Sequence, residues 1–297
     1  DPQWEALLDQ LTFDEMVSLI GDSFHWTMPV ESVQAPGSRD ENGPQGLTAS
    51  LFNADSAKMA ATAFTSEDVM AATFNRDLMT EIGKVIGNDC LSANVAILYG
   101  PGNNIHRSPY GGRNFEYYSE DPLVSGLMAA GITNGVQKHP GCGTTIKHYA
   151  ANNKELNRYA NNSHVSERAM REIYTKGFGI CVKKSQPHAV MTSYNLLNGV
   201  HTAENRGLIE DILRCEYGYE GIVMTDWVVP MTADKRSANR NSLARFVAAA
   251  GGDLFMPGGK SDYEDLKKGI QEGDVSEEQV RINATRVLKM ARKLVEK

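Results

Sequence analysis

Residues 189–226 read AVMTSYNLLNGVHTAENRGLIEDILRCEYGYEGIVMTD. This stretch begins with a short apolar run, Ala189–Tyr194, and ends with a second one, Gly221–Asp226. Between them, apolar residues recur at helical spacing over residues 208–213. Short apolar runs bounded by turn residues are typical of buried strands, and the i, i+3, i+4 spacing predicts an amphipathic helix. The stretch therefore predicts a strand, a helix and a second strand.

The same order recurs along most of the chain. Further strands are predicted at Val95–Tyr99, Thr144–Tyr149 and Gly252–Met256. Further helices are predicted at residues 66–87, 121–138, 166–184 and 242–250, and in the C-terminal stretch, where Ser276 and Gln279 predict a capping box. Repeated strand-then-helix units specify a parallel sheet with helices packed outside it.

Two closures of such a sheet compete, an open doubly wound sheet and a (β/α)8 barrel. The open sheet would carry a glycine-rich phosphate loop, and the chain contains neither GxGxxG nor GxxxxGK[ST]. A barrel needs about 250 residues, which a chain of 297 residues supplies once. We therefore predict an α/β fold, a TIM-like (β/α)8 barrel formed by residues 1–297 as a single domain. Only doubtful strands are found in residues 35–50, so the barrel is expected to be irregular at its first strands.

Composition excludes several classes of function. With 30 Lys and Arg against 37 Asp and Glu, the net charge is −7, which argues against nucleic acid or an anionic membrane as a partner. No apolar run approaches the roughly 18 residues of a membrane span. The seven histidines lack HxH or HExxH spacing, so neither a metal nor another cofactor is predicted. The first residues show no leader, which leaves both a cytoplasmic protein and a mature secreted one open. The four separated cysteines favour a reducing, cytoplasmic compartment.

Polar residues follow the predicted strands, where the chemistry of a barrel is placed. They are Asp40 and Asn42 in the first region, Arg113 and Glu116 after Tyr99, Lys147 and His148, Tyr194, and Asp226 with Trp227. Carboxylates, cations and aromatic faces around one cavity suit a neutral, polyhydroxylated ligand. Each residue also has a structural alternative: Asp226 as a helix cap, Arg113 and Glu116 as a mutual pair, Lys147 and His148 as an internal ion pair and a core histidine, and Trp227 as a core residue.

Six motifs occur in order, at Arg113–Pro122, Ile146–Asn153, Val165–Tyr174, Met191–Gly199, Gly221–Trp227 and Gly252–Gly258. Together they resemble the barrel domain of family 3 glycoside hydrolases, the β-glucosidase and β-xylosidase group. The resemblance runs from about residue 40 to the end of the sequence. It implies an exo-acting, retaining β-glycosidase that removes terminal β-D-glucosyl residues, although the motifs leave xylose and galactose open.

The resemblance also implies roles for individual residues. Asp226 corresponds to the catalytic nucleophile and Trp227 to one wall of the sugar subsite. Ligands of the sugar hydroxyls correspond to Arg113, Lys147 and His148, and Tyr194 corresponds to the tyrosine beside the nucleophile. The family's usual Asp before Gly-Pro-x-Gly is replaced here by Asn42. Either Asn42 performs that binding role, or Asp40 takes it over.

Retaining hydrolysis needs a second carboxyl group, about 5–5.5 Å from the nucleophile, as acid and base. In most of the family this group lies on an α/β sandwich domain, which we expect to be absent from this chain. A separate sandwich domain or chain is therefore an expected partner, besides a β-glucoside or oligosaccharide substrate. Since general acid–base help is worth roughly 10²–10⁴-fold, the chain by itself is expected to hydrolyse ordinary glycosides poorly.

Three alternatives stay open at this stage. The barrel could bind sugar without turning it over. His164 could replace the acid, as a histidine does in the family's N-acetylglucosaminidases, but Lys147–Asn153 lacks their Pro-Gly-His sequence. Lys147 could form a Schiff base, as in a class I aldolase, but Trp227 directly after Asp226 favours sugar stacking.

Overall fold

The computed structural model describes residues 2–48, 61–227 and 240–295. Its strands are β1 (Trp26–Thr27), β2 (Ser38–Asn42), β3 (Ile97–Tyr99), β4 (Gly143–Tyr149), β5 (Asn162–Ser163), β6 (Ala189–Thr192), β7 (Leu196–Leu197), β8 (Val200–His201) and β9 (Ile222–Met224). Its α-helices are α1 (Pro2–Leu8), α2 (Phe13–Gly21), α3 (Glu67–Ala71), α4 (Arg76–Ser92), α5 (Pro122–Val136), α6 (Glu167–Ala169), α7 (Lys176–Ser185), α8 (Ala244–Ala249), α9 (Lys260–Glu272) and α10 (Glu277–Val295). Short 3₁₀ turns lie at Glu31–Val33, Asn114–Glu116 and Thr202–Glu204, and π-helical turns at Met170–Tyr174 and Gly207–Glu216.

The central sheet is curled and mainly parallel. Its order is β1-β2-β3-β4-β6-β9, and every pair from β2 onward is parallel, whereas β1 is antiparallel to β2. The predicted strand Gly252–Met256 forms only an isolated parallel bridge, between Leu254 and Met224. A small second sheet joins β5, β7 and β8. The irregular start that the sequence predicts is therefore present as the short antiparallel strand β1.

Alternate residues of the strands enter two separate hydrophobic cores. Leu98, Val190 and Val223 belong to the core that includes residues of α4, α5 and α7. Their neighbours along the strands, among them Ile97 and Ile222, belong to the core that includes residues of α2 and α10. Because successive strand residues point to opposite faces, a strand buried on both faces must be apolar throughout. This explains why these strands are visible in the sequence as continuous apolar runs.

The predicted helix over residues 66–87 is wrong as a single element. Two helices, α3 and α4, occupy this stretch and are separated at residues 72–75. Phe74 has a positive φ of 51°. Asn75 begins α4 by accepting a hydrogen bond from the Leu78 backbone N–H at 3.0 Å. Val69 and Phe74, two of the apolar residues in this stretch, are 53% and 73% exposed. The apolar spacing continues across the break, so the periodicity does not reveal it.

Two further differences concern the starts of helices. Ser276 accepts the backbone N–H of Gln279 at 3.1 Å, but the Gln279 side chain donates to Asn283, so the predicted capping box is only half formed. A complete box joins Thr12 and Glu15 at the start of α2, a helix that we did not predict. No helix among the described residues is long and apolar enough to cross a membrane.

Candidate active site

Three predicted site residues meet at the carboxyl ends of the parallel strands. Asp226 lies two residues beyond β9, His148 lies near the end of β4, and Arg113 lies in the loop after β3. The Nε2 atom of His148 is 3.5 Å from Oδ2 of Asp226 and 3.0 Å from a terminal nitrogen of Arg113. The Asp226 side chain is 15% exposed, so its carboxylate remains open to a ligand.

The imidazole of His148 is held as a neutral ring. Burial, Arg113 and Lys147 together place the pKa of His148 well below its ordinary value. Because Arg113 can only donate, Nε2 accepts its hydrogen bond, and Nδ1 then donates to the Tyr117 hydroxyl oxygen at 3.0 Å. The approach of His148 to Asp226 is therefore not an ion pair, and the carboxylate stays available for chemistry.

Two cations share one carboxylate beside this group. Glu116 accepts a hydrogen bond from Arg113 Nε, and its Oε2 atom is 3.5 Å from Nζ of Lys147. Burial would raise the pKa of Glu116, but Lys147 and Arg113 outweigh it and the pKa is lowered. Lys147 is only 4% exposed. The Arg113–Glu116 pair and the internal ion pair of Lys147, which the sequence left as structural alternatives, are therefore both present, and they place two cations next to Asp226.

Tyr194 lies beside Asp226. Its hydroxyl donates to the backbone carbonyl of Trp227 at 2.8 Å. Burial and then the negative charge of Asp226 raise the pKa of Tyr194, so the phenol stays protonated. The guanidinium of Arg158 lies 4.7 Å from the Tyr194 ring centroid and pairs with Glu155 at 3.0 Å. Arg158 was not predicted, because its loop shows neither strand nor helical spacing.

Trp227 is fixed by an aromatic cluster from the N-terminal segment. Its ring centroid lies 4.9 Å from that of Phe24 and 4.7 Å from that of His25. Its backbone N–H donates to Oδ1 of Asp226 at 2.7 Å. The indole is therefore held beside the carboxylate by Phe24 and His25, whose contribution was not predicted, and its role as a wall of a sugar subsite stays a prediction.

The two candidates on β2 differ in accessibility. Asp40 is 1% exposed; its carboxylate accepts the Ser38 hydroxyl at 3.0 Å and lies 3.5 Å from the Tyr99 hydroxyl. Asn42, two residues further along at the end of the strand, is exposed. Asp40 is thus enclosed by protein, and Asn42 is the β2 side chain that a ligand can reach.

Burial of Asp40 predicts a pH-dependent stability. Burial raises its pKa from 3.8 to about 7. The folded state then holds the proton that the unfolded state releases, so the free energy of unfolding should fall as pH rises from about 4 to 7. The free energy of unfolding of Asp40→Asn, relative to that of the wild type, should increase by on the order of 2–4 kcal/mol over that range. Chemical denaturation of both proteins at each pH measures the difference.

An exposed aspartate provides the control for that experiment. Lys267 lowers the pKa of Asp14 through a hydrogen bond, so Asp14→Asn should lose stability relative to the wild type as pH rises, the opposite sign. Equal slopes for wild type and Asp40→Asn would show that Asp40 does not titrate between pH 4 and 7.

Other polar residues of the sequence pattern serve the scaffold. Asp121 caps α5 by accepting the Leu123 backbone N–H at 2.7 Å, and Arg107 is exposed above the Tyr174 ring. Cys90, Cys142 and Cys181 are buried free thiols, and Cys215 is exposed. Within residues 2–48, 61–227 and 240–295, no group of three or more His, Cys, Asp or Glu side chains is arranged to hold a metal ion.

A curled parallel sheet with a carboxylate, three cations and an aromatic wall at its carboxyl edge is the arrangement of a barrel-type carbohydrate-active domain. The sequence profile described as Glycosyl hydrolase family 3 N terminal domain matches residues 54–290. The chain belongs to glycosyl hydrolase family 3, and the predicted family and TIM-like barrel are confirmed.

Named relatives and solved structures agree with this assignment. Beta-glucosidase B of Emericella nidulans is 38% identical over 99% of this chain and 34% of its own length. An Exo-alpha-(1->6)-L-arabinopyranosidase of Bifidobacterium breve is 44% identical over 73% of this chain and 29% of its own length. The structure of beta-glucosidase 3B from Thermotoga neapolitana in complex with alpha-D-glucose superposes with a TM-score of 0.88 at 37% identity, covering 98% of this chain and 42% of that one. The chain thus spans about a third of the length of its curated relatives.

Proposed function

We propose that this chain is the nucleophile-bearing barrel of a retaining, exo-acting β-glycosidase that removes terminal β-D-glucosyl residues. The observation that carries the proposal is the accessible carboxylate of Asp226, set between the cation-bearing side of the mouth and the wall formed by Trp227. Trapping of a covalent sugar on Asp226 is the experiment that tests it.

The proposed reaction proceeds in two displacements. Asp226 attacks the anomeric carbon as the aglycone leaves with the bonding electron pair, and an ester links Oδ of Asp226 to the sugar. Water then attacks the same carbon from the opposite face and releases Asp226, so two inversions give net retention. His148, held neutral, and the two cations Arg113 and Lys147 bind sugar hydroxyls and fix the anomeric carbon near the nucleophile.

An acid and base is still required for ordinary glycosides. It would protonate the departing oxygen and then take a proton from the attacking water, which is worth roughly 10²–10⁴-fold. We propose that this carboxyl group belongs to an α/β sandwich domain, in the part of the relatives' length that this chain does not cover. The sandwich domain would then be the partner that completes the mouth.

Lys147 is better suited to binding hydroxyls than to imine formation. Glu116, 3.5 Å from the Nζ atom of Lys147, opposes the lowering of the Lys147 pKa by burial and so favours the ammonium group over the free amine that a Schiff base requires. The tryptophan wall beside Asp226 likewise suits the apolar face of a sugar ring.

The identity of residue 42 should set the strength of sugar binding. We propose that Asn42 contacts hydroxyls at the end of the sugar remote from the reacting carbon. A carboxylate accepts stronger, charge-assisted hydrogen bonds from hydroxyl groups than an amide does. Asn42→Asp should therefore raise glucose affinity by about 10-fold, equivalent to roughly 1.4 kcal/mol.

Calorimetric titration with glucose and with xylose measures this effect. Xylose lacks the hydroxymethyl group, so the gain in Asn42→Asp should be larger for glucose if that group is the contact. An unchanged affinity for both sugars would show that residue 42 does not contact the bound sugar.

A further inference from the structure

We infer that Glu116 is a positioning residue, which holds the Lys147 ammonium group and the Arg113 guanidinium group in place around the sugar-binding side of Asp226. The expected effect on sugar binding rests on the proposed function, but the physical basis of the inference is the geometry of three side chains. Among the described residues, the Glu116 carboxylate contacts Arg113 and Lys147 and not the carboxylate of Asp226.

Glu116 joins two elements that carry the cations. It ends the 3₁₀ turn Asn114–Glu116 and is only 4% exposed. One carboxylate oxygen accepts from Nε of Arg113, the residue that precedes the turn, and the other lies 3.5 Å from Nζ of Lys147 on β4. Both oxygens are thus used, and the loop after β3 is tied to β4 through charged contacts.

Four ionisable groups act on Lys147: Glu116, Arg113, Asp226 and Glu67. Among the described carboxylates, only Glu116 lies within 4 Å of its Nζ atom. Glu67, at the start of α3, is fully enclosed, and burial and the charge of Glu116 raise its pKa well above its ordinary value, which favours its neutral form. Asp226 is needed for the reaction. Glu116 is therefore the carboxylate that is free to hold Lys147.

Removing the charge of Glu116 should change both cations. Burial lowers the pKa of Lys147, Glu116 opposes this, and Arg113 adds to it. Without the carboxylate, Lys147 should lose its proton at a lower pH. The Nε of Arg113 would also be released, and its guanidinium, already near Asp226, could turn to pair with the nucleophile. A merely structural carboxylate would produce neither effect.

The test uses Glu116→Gln, Glu116→Asp and a matched control, Glu210→Gln. Glu210 is also a shielded carboxylate between two cations, Arg214 at 3.4 Å and Arg286 at 3.2 Å, but it lies at the other end of the barrel. Glucose affinity is measured by calorimetry between pH 6 and 10. In parallel, the Lys147 signal of lysine-¹³Cε-labelled protein is titrated by NMR and assigned with Lys147→Met.

We expect Glu116→Gln to weaken glucose binding about 10-fold or more at pH 7. Its Lys147 signal should titrate at a pH lower by at least about one unit than in the wild type, the size of effect that a carboxylate at this distance produces. In Glu116→Asp, which keeps the charge on a shorter side chain, the Lys147 titration should return most of the way to its wild-type pH. Glu210→Gln should lower the thermal midpoint without moving the Lys147 titration.

Two outcomes would overturn the inference: a Lys147 titration in Glu116→Gln that matches the wild type, or a shift of equal size in Glu210→Gln. If Glu116→Gln does not fold, a wild-type Lys147 signal that is already deprotonated at pH 8 overturns it as well, because Glu116 would then hold no ammonium group. Failure of the proposed function is distinguishable, because wild-type protein would then not bind glucose while the NMR titration still reports on Glu116.

Discussion

Asp226→Asn should form no covalent adduct with 2,4-dinitrophenyl 2-deoxy-2-fluoro-β-D-glucoside, whereas the wild type should gain the mass of one fluoroglucosyl group. The fluorine slows release of the intermediate, and the dinitrophenolate departs without a proton, so neither step depends on an acid from elsewhere. Only a nucleophile at the anomeric carbon is needed, and an amide is a poor one. We expect the rate of labelling to fall by at least about 10³-fold, measured by intact and peptide mass.

The control is Asp121→Asn, which replaces one good helix cap by another and should label at the wild-type rate. An adduct on a peptide without Asp226 would assign the nucleophile elsewhere. A folded wild-type chain that binds glucose but forms no adduct would favour the alternative of a barrel that binds sugar without reacting.

The fold was predictable where burial on both faces leaves a continuous apolar run. Four of the five clear strands were observed: β3, β6 and β9 lie within the predicted runs, and β4 begins one residue before its run. Gly252–Met256 has the same composition but only one bridged residue, because composition reports burial and not hydrogen-bond pairing. The break between α3 and α4 was missed for a related reason, since apolar spacing on its two sides happens to continue in phase.

The site was predictable where side chains follow strands directly. Lys147, Tyr194 and Asp226 lie at or just beyond strand ends, and parallel strands bring such positions to one edge. Arg158 and Phe24 reach the same place from segments without periodicity, so their positions depend on tertiary packing alone.

The choice between Asp40 and Asn42 shows the same limit at the scale of one strand. Both residues lie on the same face of β2, two positions apart, and alternation therefore treats them alike. Their difference arises from distance to the open edge: Asp40 is covered by Ser38 and Tyr99, and Asn42 is not. The alternation of residues along a strand shows which face of the sheet a side chain is on, but not how far the side chain lies from the open edge of the sheet.

Hydrolysis by the chain alone should depend strongly on the leaving group. We compare the rate of cleavage of 2,4-dinitrophenyl β-glucoside with that of methyl β-glucoside or cellobiose. We expect this ratio of rates to be at least about 10²-fold larger for the chain alone than after a sandwich domain is added, because an alkoxide cannot leave without a proton. Initial rates with a series of aryl and alkyl glucosides measure this dependence, and the Asp226→Asn chain provides the background.

Azide should accelerate turnover of the dinitrophenyl substrate and yield β-glucosyl azide. Water needs a base to attack the glycosyl-enzyme, whereas azide is already an anion, so it replaces the missing base but not the nucleophile. The β configuration of the product requires two inversions and hence a covalent intermediate. A product of α configuration would instead indicate a single displacement. If azide has no effect and alkyl glucosides are cleaved well, the chain holds its own acid and base, and Glu155, the carboxylate that pairs with Arg113 and Arg158 beside the mouth, would be the first residue to substitute.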